Sequence, residues 1–252
     1  MRIFAISDLH IDFKENLTWL HQLSRDCYRG DLMLVGGDVC DDLSLFMEGL
    51  KILKSRFREI IFVPGNHDLW VHRNQAKDSI QKFYQIQEIA ADLDVKLKPM
   101  HIGPVSIVPL LGWYDESFGR PCRELINSWV DYRACKWPFG WKEKEISAQF
   151  IRQNESCLTI RNQMVISVSH FLPRIDLMPA FIPEEQRKLY PVLGSSSLEE
   201  QIRHLNPTIH VYGHSHLNRQ VVLDGITYIN NAYGYPYEHH IAAKRLQCIL
   251  EI

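Results

Sequence analysis

The chain has 252 residues, of which 46% are hydrophobic, and it carries 28 lysines and arginines against 30 aspartates and glutamates. This length and composition allow a substantial buried core, so global disorder is excluded. The net charge of −2 provides no long-range attraction to nucleic acid or to an anionic membrane, and no apolar run is long enough to span a bilayer.

Short apolar runs alternate with amphipathic stretches along most of the chain. We predict strands at 2–7, 31–35, 59–63, 95–97, 105–110, 164–168, 208–212, 219–223, 226–230 and 246–252. We predict helices at 17–27, 43–57, 79–93 and 198–205. Strands that alternate with helices through short turns indicate a layered α/β fold.

The middle of the chain departs from this alternation. Four of the six tryptophans lie between Trp113 and Trp141, and the pattern over 113–163 is mainly helical. We predict a single domain, 1–252, with a helical, aromatic-rich cap inserted roughly at 113–163. The aromatic rings either form the core of this cap or provide a platform on which a flat group stacks. The charged residues of the stretch, Asp131 among them, are expected to form a mixed surface.

The cysteines and the first residues bear on the cellular compartment. The six cysteines form no CxxC pair, so we expect free thiols. The opening MRIFAISDLH predicts a strand instead of a signal peptide, because it becomes polar too soon for a signal sequence. We therefore expect a cytoplasmic protein.

Polar clusters directly follow five of the predicted strands. They are Asp8-Leu9-His10, Gly37-Asp38, Gly65-Asn66-His67-Asp68, His170 and Gly213-His214-Ser215-His216. In α/β sheets, ligands bind at the carboxyl ends of the strands, so these segments should converge. Asp, Asn and His are ligands of divalent metals, and the absence of cysteine from the clusters argues against a structural zinc finger.

In this order, the five clusters resemble the calcineurin-like metallophosphoesterase superfamily. The resemblance implies a four-layer α/β/β/α sandwich with two metal ions at the strand ends. One metal would be bound by Asp8, His10, Asp38 and His216, and the other by Asp38, Asn66, His170 and His214. Mn²⁺, Fe²⁺ and Zn²⁺ all suit these ligands.

The resemblance also implies a reaction. A hydroxide that bridges the two metals would attack the phosphorus, and His67 would donate a proton to the leaving group. Asp41 resembles the carboxylate that orients the catalytic histidine in the phosphoprotein-phosphatase branch. Asp68, adjacent to His67, is the alternative for this role.

A comparison with the branches of the superfamily narrows the range of expected substrates. Protein phosphatases have Arg-Gly after the GDxxD motif, where this chain has Asp42-Leu43. The DNA-repair nucleases need a DNA-binding surface, which a net charge of −2 does not favour. We therefore expect a small phosphodiester, a cyclic nucleotide or a similar compound, as substrate, with no membrane or nucleic-acid partner. The alternatives are a phosphomonoesterase, for small molecules or for proteins, and a non-catalytic scaffold.

Further substrate contacts are proposed outside these clusters. Arg174, shortly after His170, could reach a phosphate through two hydrogen bonds, or it could be an ordinary surface arginine. Asn230 and Tyr235 follow the last hairpin and are expected near the site. The seven histidines outside the five clusters are expected to make ordinary contacts. The sequence does not predict the oligomeric state.

Overall fold

The computed structural model describes residues 1–73 and 76–252, and its strands form two sheets. The strands are Arg2–Ile6 (β1), Leu32–Val35 (β2), Glu59–Phe62 (β3), Met100–Ile102 (β4), Val105–Pro109 (β5), Met164–Val168 (β6), Ile209–Tyr212 (β7), Arg219–Leu223 (β8), Ile226–Asn230 (β9) and Gln247–Glu251 (β10). The first sheet has the order β10-β1-β2-β3, and the second has the order β4-β5-β6-β7-β9-β8. Within each sheet, the central strands run parallel.

The helices connect and cover these sheets. The α-helices are Lys14–Gln22 (α1), Leu43–Lys54 (α2), Ser79–Asp92 (α3), Arg123–Ser128 (α4), Asp131–Ala134 (α5), Glu143–Gln153 (α6) and Ser196–Leu205 (α7). Within the described residues, no helix is both long and apolar enough to cross a membrane.

Three hydrophobic layers hold the sheets and helices together. Apolar side chains from both sheets, such as Leu34 and Ile166, pack together in one layer. A second layer lies between the first sheet and α1–α3, and a third contains buried residues of the second sheet and α7. The central strands are buried on both faces and consist mainly of apolar residues. The edge strands β4, β8 and β10 are partly exposed and carry polar residues. The predicted α/β/β/α sandwich is confirmed.

The aromatic residues of the middle segment join the helix-side core. Trp113 and Tyr114 are buried together with Phe150 in the same layer as the side chains of α2 and α3. The α-helices of 113–163 are short, and Glu143–Gln153 is the longest of them. Asp131, which was expected on a mixed surface, is only 2% exposed. That expectation is wrong for this residue.

The two sheets also meet through the backbone at the carboxyl end of β1. Ser7 donates its N–H to the carbonyl of Asn231, which follows β9, and its own carbonyl accepts from the N–H of Tyr233. Asp8 donates its N–H to the carbonyl of Gly37 after β2. These bonds bring the loops of both sheets to one edge of the sandwich.

Candidate metal centre and active site

Several of the predicted metal ligands have an unusual backbone conformation. Asp8, His10, Asp38, His214 and His216 have φ angles of 54°, 42°, 56°, 67° and 53°. This left-handed region is sparsely populated by residues other than glycine and costs of order 1–3 kcal/mol per residue. The hydrogen bonds between the loops, such as His10 N–H to the carbonyl of Asp38 at 3.0 Å, maintain this conformation. This backbone conformation turns each loop so that the predicted ligand on it points towards the ligands on the other loops.

Three of the predicted ligands present lone pairs to one another. His170 Nε2 lies 2.9 Å from Asn66 Oδ1 and 3.2 Å from His214 Nδ1. The protons of these groups are engaged elsewhere: His170 Nδ1 donates to the carbonyl of Gly36 at 2.8 Å, and His214 Nε2 donates to the carbonyl of Val192 at 2.9 Å. Lone pairs at such distances repel each other unless a cation lies between them. The residues present therefore fit a metal ion.

Burial supports this interpretation. His170 is 1% and His214 is 8% exposed. Burial lowers the pKa of each imidazole to about 4, against the attraction of Asp8. Both rings are neutral near pH 7, which is the form that binds a metal.

Asp38 lies between the two groups of predicted ligands. Its Oδ1 is 3.6 Å from His170 Nε2, and its Oδ2 is 3.9 Å from His10 Nε2. Burial, together with the carboxylates of Asp68 and Asp8, raises the pKa of Asp38 well above its usual value. A carboxylate that is disfavoured by burial gains from a neighbouring cation. The geometry therefore suits a carboxylate shared by two ions.

The second group contains Asp8, His10 and His216. His216 Nε2 is 3.1 Å from His10 Nε2 and 3.3 Å from Asp8 Oδ1, and its Nδ1 is 2.7 Å from Glu238 Oε2. Burial opposes a charge on His216, but Asp8 and Glu238 outweigh it and raise its pKa to about 9. Positive charge is therefore stabilised at this point, as a metal site requires.

His67 lies beside both groups. Its backbone N–H donates to Asp38 Oδ1 at 2.9 Å, and its imidazole ring stacks on Trp70 with the ring centroids 3.5 Å apart. The hydroxyl of Tyr235 is 3.4 Å from His67 Nε2. Burial, and then the neighbouring histidines led by His10, lower the pKa of His67.

Asp68 connects the loops after β2 and β3. Its carboxylate accepts the backbone N–H groups of Asp38, Val39, Cys40 and Gly65 at 2.8–3.1 Å. This arrangement holds the Gly37-Asp38 turn against the Gly65-Asn66 turn. Asp41 lies beside His72 and Arg73, with Oδ2 3.4 Å from His72 Nε2 and Oδ1 3.4 Å from Arg73 Nη1. Its role in orienting His67 stays a prediction.

Two of the proposed substrate contacts lie away from the metal centre. The guanidinium of Arg174 is held by Asp176 and Asp224, with bonds of 2.6 Å and 2.7 Å. Arg174 is therefore paired on the surface, and the structure does not bring it to the predicted ligands. Asn230 is 1% exposed, and its amide donates to the carbonyl of Gly213. It supports the loop that carries His214, whereas Tyr235 is in the site.

A cleft of about 440 Å³ opens at the two groups. Its polar lining includes Asp38, Asn66, His67, His214 and His216. The same cleft is also lined by Gln186, Tyr190 and Glu238 and by the apolar side chains of Met178, Ile182, Leu189, Leu193, Leu217 and Ile241. The site therefore combines predicted metal ligands with apolar side chains, four of which come from the segment 178–193.

Sequence reasoning missed residues that touch the predicted ligands. Glu238 holds His216, Asp131 accepts the amide of Asn66 at 2.9 Å, and Trp70 stacks on His67. Trp70 follows the Gly65–Asp68 cluster closely, and this proximity was an available signal. Glu238 and Asp131 carry no motif, so their part depends on the fold.

Comparison with known proteins agrees with this site. The family profile of the calcineurin-like phosphoesterases matches residues 1–218. This chain therefore belongs to the calcineurin-like phosphoesterase family, and it is a metal-dependent hydrolase of phosphate esters. The family depends on two metal ions, as the two groups of ligands suggest. The predicted resemblance and the enzymatic activity are confirmed, and the scaffold alternative is wrong.

Two comparisons concern a protein from Mycobacterium tuberculosis. The [acyl-carrier-protein] phosphodiesterase PptH (strain ATCC 25618 / H37Rv) is 28% identical to this chain over an alignment of 269 positions. The alignment covers 94% of this chain and 78% of PptH. The crystal structure of phosphopantetheinyl hydrolase (PptH) from Mycobacterium tuberculosis superposes with a TM-score of 0.81 and 22% identity, covering 100% of this chain and 96% of that chain. This superposition shows that the two chains share a fold.

Proposed function

We propose that this enzyme is a phosphodiesterase whose substrate carries a long, flexible arm, the phosphopantetheinyl group of an acyl carrier protein. The cleft provides the observation that carries the proposal. The predicted metal ligands share this cleft with the aliphatic side chains of Ile182, Leu189 and Leu193 and with the polar side chain of Gln186. A pantetheine chain, in which amides alternate with methylene and methyl groups, matches such a mixed lining, and the names of PptH denote hydrolysis of this kind of ester.

The residues of the chain have distinct tasks in this reaction. Asp8, His10, Asp38, Asn66, His170, His214 and His216 would hold two divalent ions. When bound, such ions withdraw charge from phosphate oxygens and lower the pKa of water. His67 would donate its proton to the leaving oxygen as the phosphorus–oxygen bond breaks and water adds to phosphorus.

The protonation of His67 depends on the substrate. Burial lowers the pKa of His67, so the free imidazole is neutral near pH 7. A phosphodiester bound in the cleft brings a negative charge next to this ring, and a nearby anion favours the protonated form. Tyr235, whose hydroxyl is 3.4 Å from His67 Nε2, would keep the ring directed towards the leaving oxygen.

The cyclic nucleotide expected from the sequence is the competing substrate. A nucleobase needs a flat ring on which to stack or polar groups that pair with its edge. Trp129 and Tyr190 line the cleft and could serve as such a surface. The aliphatic residues on the remaining wall favour the pantetheine chain.

A substrate panel tests the proposal. With Mn²⁺ added, we expect hydrolysis of bis(p-nitrophenyl) phosphate to be faster than that of p-nitrophenyl phosphate. We also expect conversion of a holo acyl carrier protein to its apo form, followed by mass spectrometry, while cyclic nucleotides react more slowly. The His67→Ala variant should lose about 10²–10⁴-fold in rate, as expected for the loss of a general acid.

Two results would overturn parts of this proposal. A wide preference for the monoester would make the enzyme a phosphatase. Rapid cleavage of cyclic nucleotides beside an unreactive carrier protein would replace the phosphopantetheinyl substrate with a nucleotide. The exposed variant His204→Ala is the matched control, because His204 lies on the last turn of α7, and it should retain the wild-type rate.

A further inference from the structure

Asp131 is a buried carboxylate in the middle segment that collects several neutral donors. Its Oδ1 accepts Asn66 Nδ2 at 2.9 Å and Trp70 Nε1 at 2.6 Å. Its Oδ2 accepts Trp129 Nε1 at 2.8 Å and the hydroxyl of Tyr114 at 3.3 Å. An ionised carboxylate accepts hydrogen bonds only, so all four donors are satisfied at once.

The first contact determines the orientation of a predicted metal ligand. The side-chain amide of Asn66 could face the metal centre with either its oxygen or its nitrogen. Because Asp131 accepts a hydrogen bond from Nδ2 of Asn66, Oδ1 of Asn66 points to His170 Nε2, at 2.9 Å. With the amide rotated by half a turn, a donor group would face the cation and the oxygen would repel Asp131.

The second contact reaches the predicted general acid. Trp70 is fixed by its indole N–H on Asp131, and His67 stacks on the indole with the planes inclined by 29°. The plane of Trp70 therefore limits the directions in which His67 Nε2 can point. Trp129, the third donor, lines the cleft and meets His214 edge-on with the ring centroids 5.9 Å apart.

We propose that Asp131 is a positioning residue through which the middle segment sets both parts of the active site. Through Asn66 it sets the affinity for the metal, and through Trp70 it sets the direction of His67. This inference rests on the proposed metal sites and on the proposed role of His67. It gives the aromatic segment a task in catalysis, since two of the four donors, Tyr114 and Trp129, are aromatic side chains of that segment.

The Asp131→Asn variant tests the proposal with almost no change in volume. An amide nitrogen then replaces one acceptor and faces donors. We expect the affinity of the metal-free protein for Mn²⁺, measured by calorimetry, to fall about 10–100-fold, as is typical when a group that orients a ligand is lost. We also expect kcat for bis(p-nitrophenyl) phosphate at saturating Mn²⁺ to fall, with KM nearly unchanged.

Two further variants separate the parts of this effect. Trp70→Phe removes the indole N–H but keeps the bond between Asn66 and Asp131. It should therefore lower kcat, while its affinity for Mn²⁺ should stay within about 3-fold of the wild-type affinity, because the effects of single contacts vary by about this factor with their surroundings. Asp115→Asn is the matched control, because Asp115 is a half-buried carboxylate of the same segment that accepts from Ser117 N–H and from the hydroxyl of Ser195. It should change neither quantity.

The outcomes are distinct. If Asp131→Asn keeps the wild-type Mn²⁺ affinity and kcat and has only a lower melting temperature, the proposal is overturned. Asp131 would then have a structural role only. If Asp131→Asn fails to fold, Trp70→Phe decides, and an unchanged kcat in that variant overturns the link to His67. If wild-type protein binds Mn²⁺ but cleaves no diester, the proposed function fails, whereas the calorimetry still tests the link to Asn66.

Discussion

Among single residues, Glu238 shows most clearly how a side chain outside the motifs can act on a predicted metal ligand. Its Oε2 lies 2.7 Å from His216 Nδ1 and also accepts the N–H of Tyr235 at 2.7 Å. The bond to Nδ1 turns His216 Nε2 towards Asp8 and His10. Carboxylates in this position increase the basicity of a ligating histidine and fix its ring.

Replacing Glu238 with Gln should therefore weaken metal binding and leave the fold intact. Gln keeps the size of Glu238 and can still accept one hydrogen bond, but it loses the negative charge next to His216. We expect the affinity for Mn²⁺ to fall about 10-fold or more, in the range seen for such partners, in a calorimetric titration. Glu88→Gln, on the exposed side of α3, is the control. Equal affinities in the two variants would show that Glu238 does not act on the metal site.

The sequence predicted the side chains that meet at the site because they lie in short motifs directly after strands. The structure brings together Asp8, Asp38 and His170, for example, as expected from parallel strands that end at one edge. Glu238 and Asp131 were not predicted, because each reaches the site from a segment without a repeated pattern. Asp131 even appeared to belong to a mixed surface, since nothing in the sequence signals that a carboxylate will be buried by four neutral donors.

At the scale of elements, the loops after the strands carry the strain that the site requires. The chain must turn sharply after β3 so that Asn66 and His67 lie next to Asp38. Gly65 makes this possible, because a Cβ atom at this position would overlap Asp38 Oδ1 and lie 2.7 Å from Cε1 of His170. Its importance comes from the space that two other loops occupy.

Gly65→Ala should therefore disturb the metal centre and the fold together. The new methyl group must displace Asp38 or His170, and overpacking of this kind typically costs about 1–3 kcal/mol. We expect a lower free energy of unfolding in urea and a loss of Mn²⁺ affinity. Gly30→Ala is the matched control, since a Cβ atom there meets nothing within 4 Å, and it should behave like the wild type. A Gly65→Ala protein as stable as Gly30→Ala would contradict this account.

The predicted elements agree with the structure where local chemistry determines their ends. The hairpin of Arg219–Leu223 and Ile226–Asn230 was predicted exactly, because Asp224 and Gly225 both adopt positive φ angles, 50° and 84°, as a tight hairpin turn requires. The strand predicted at 95–97 is wrong. Only Lys96 pairs there, in a single bridge with Ile61, and the edge strand Met100–Ile102 was missed. Both errors concern sheet edges, where pairing depends on tertiary contacts.

At the scale of the whole molecule, the metal centre depends on how the two sheets pack. Asp8, Asp38 and Asn66 follow strands of the first sheet, whereas His170 and His214 follow strands of the second. The apolar layer between the sheets therefore sets the distance between the two halves of the site. This dependence could not be predicted from the sequence, because the apolar strands do not reveal which face meets which sheet.

A cavity in this layer should affect stability and metal binding together. Ile166 in β6 is 0% exposed and lies in the layer between the sheets, four residues before His170. We expect Ile166→Ala to lower the free energy of unfolding by about 2–5 kcal/mol, as is typical for buried Ile-to-Ala changes. The loss should be the same by circular dichroism and by tryptophan fluorescence, because both sheets share this layer.

The matched control for this prediction is Ile126→Ala, since Ile126 is 43% exposed on α4. Exposed substitutions usually change stability by no more than about 0.5 kcal/mol. Because the ligands come from both sheets, Ile166→Ala should also bind Mn²⁺ more weakly than Ile126→Ala when both are folded. If the two probes gave separate transitions for Ile166→Ala, the sheets would unfold independently, and the layer between them would not hold the site together.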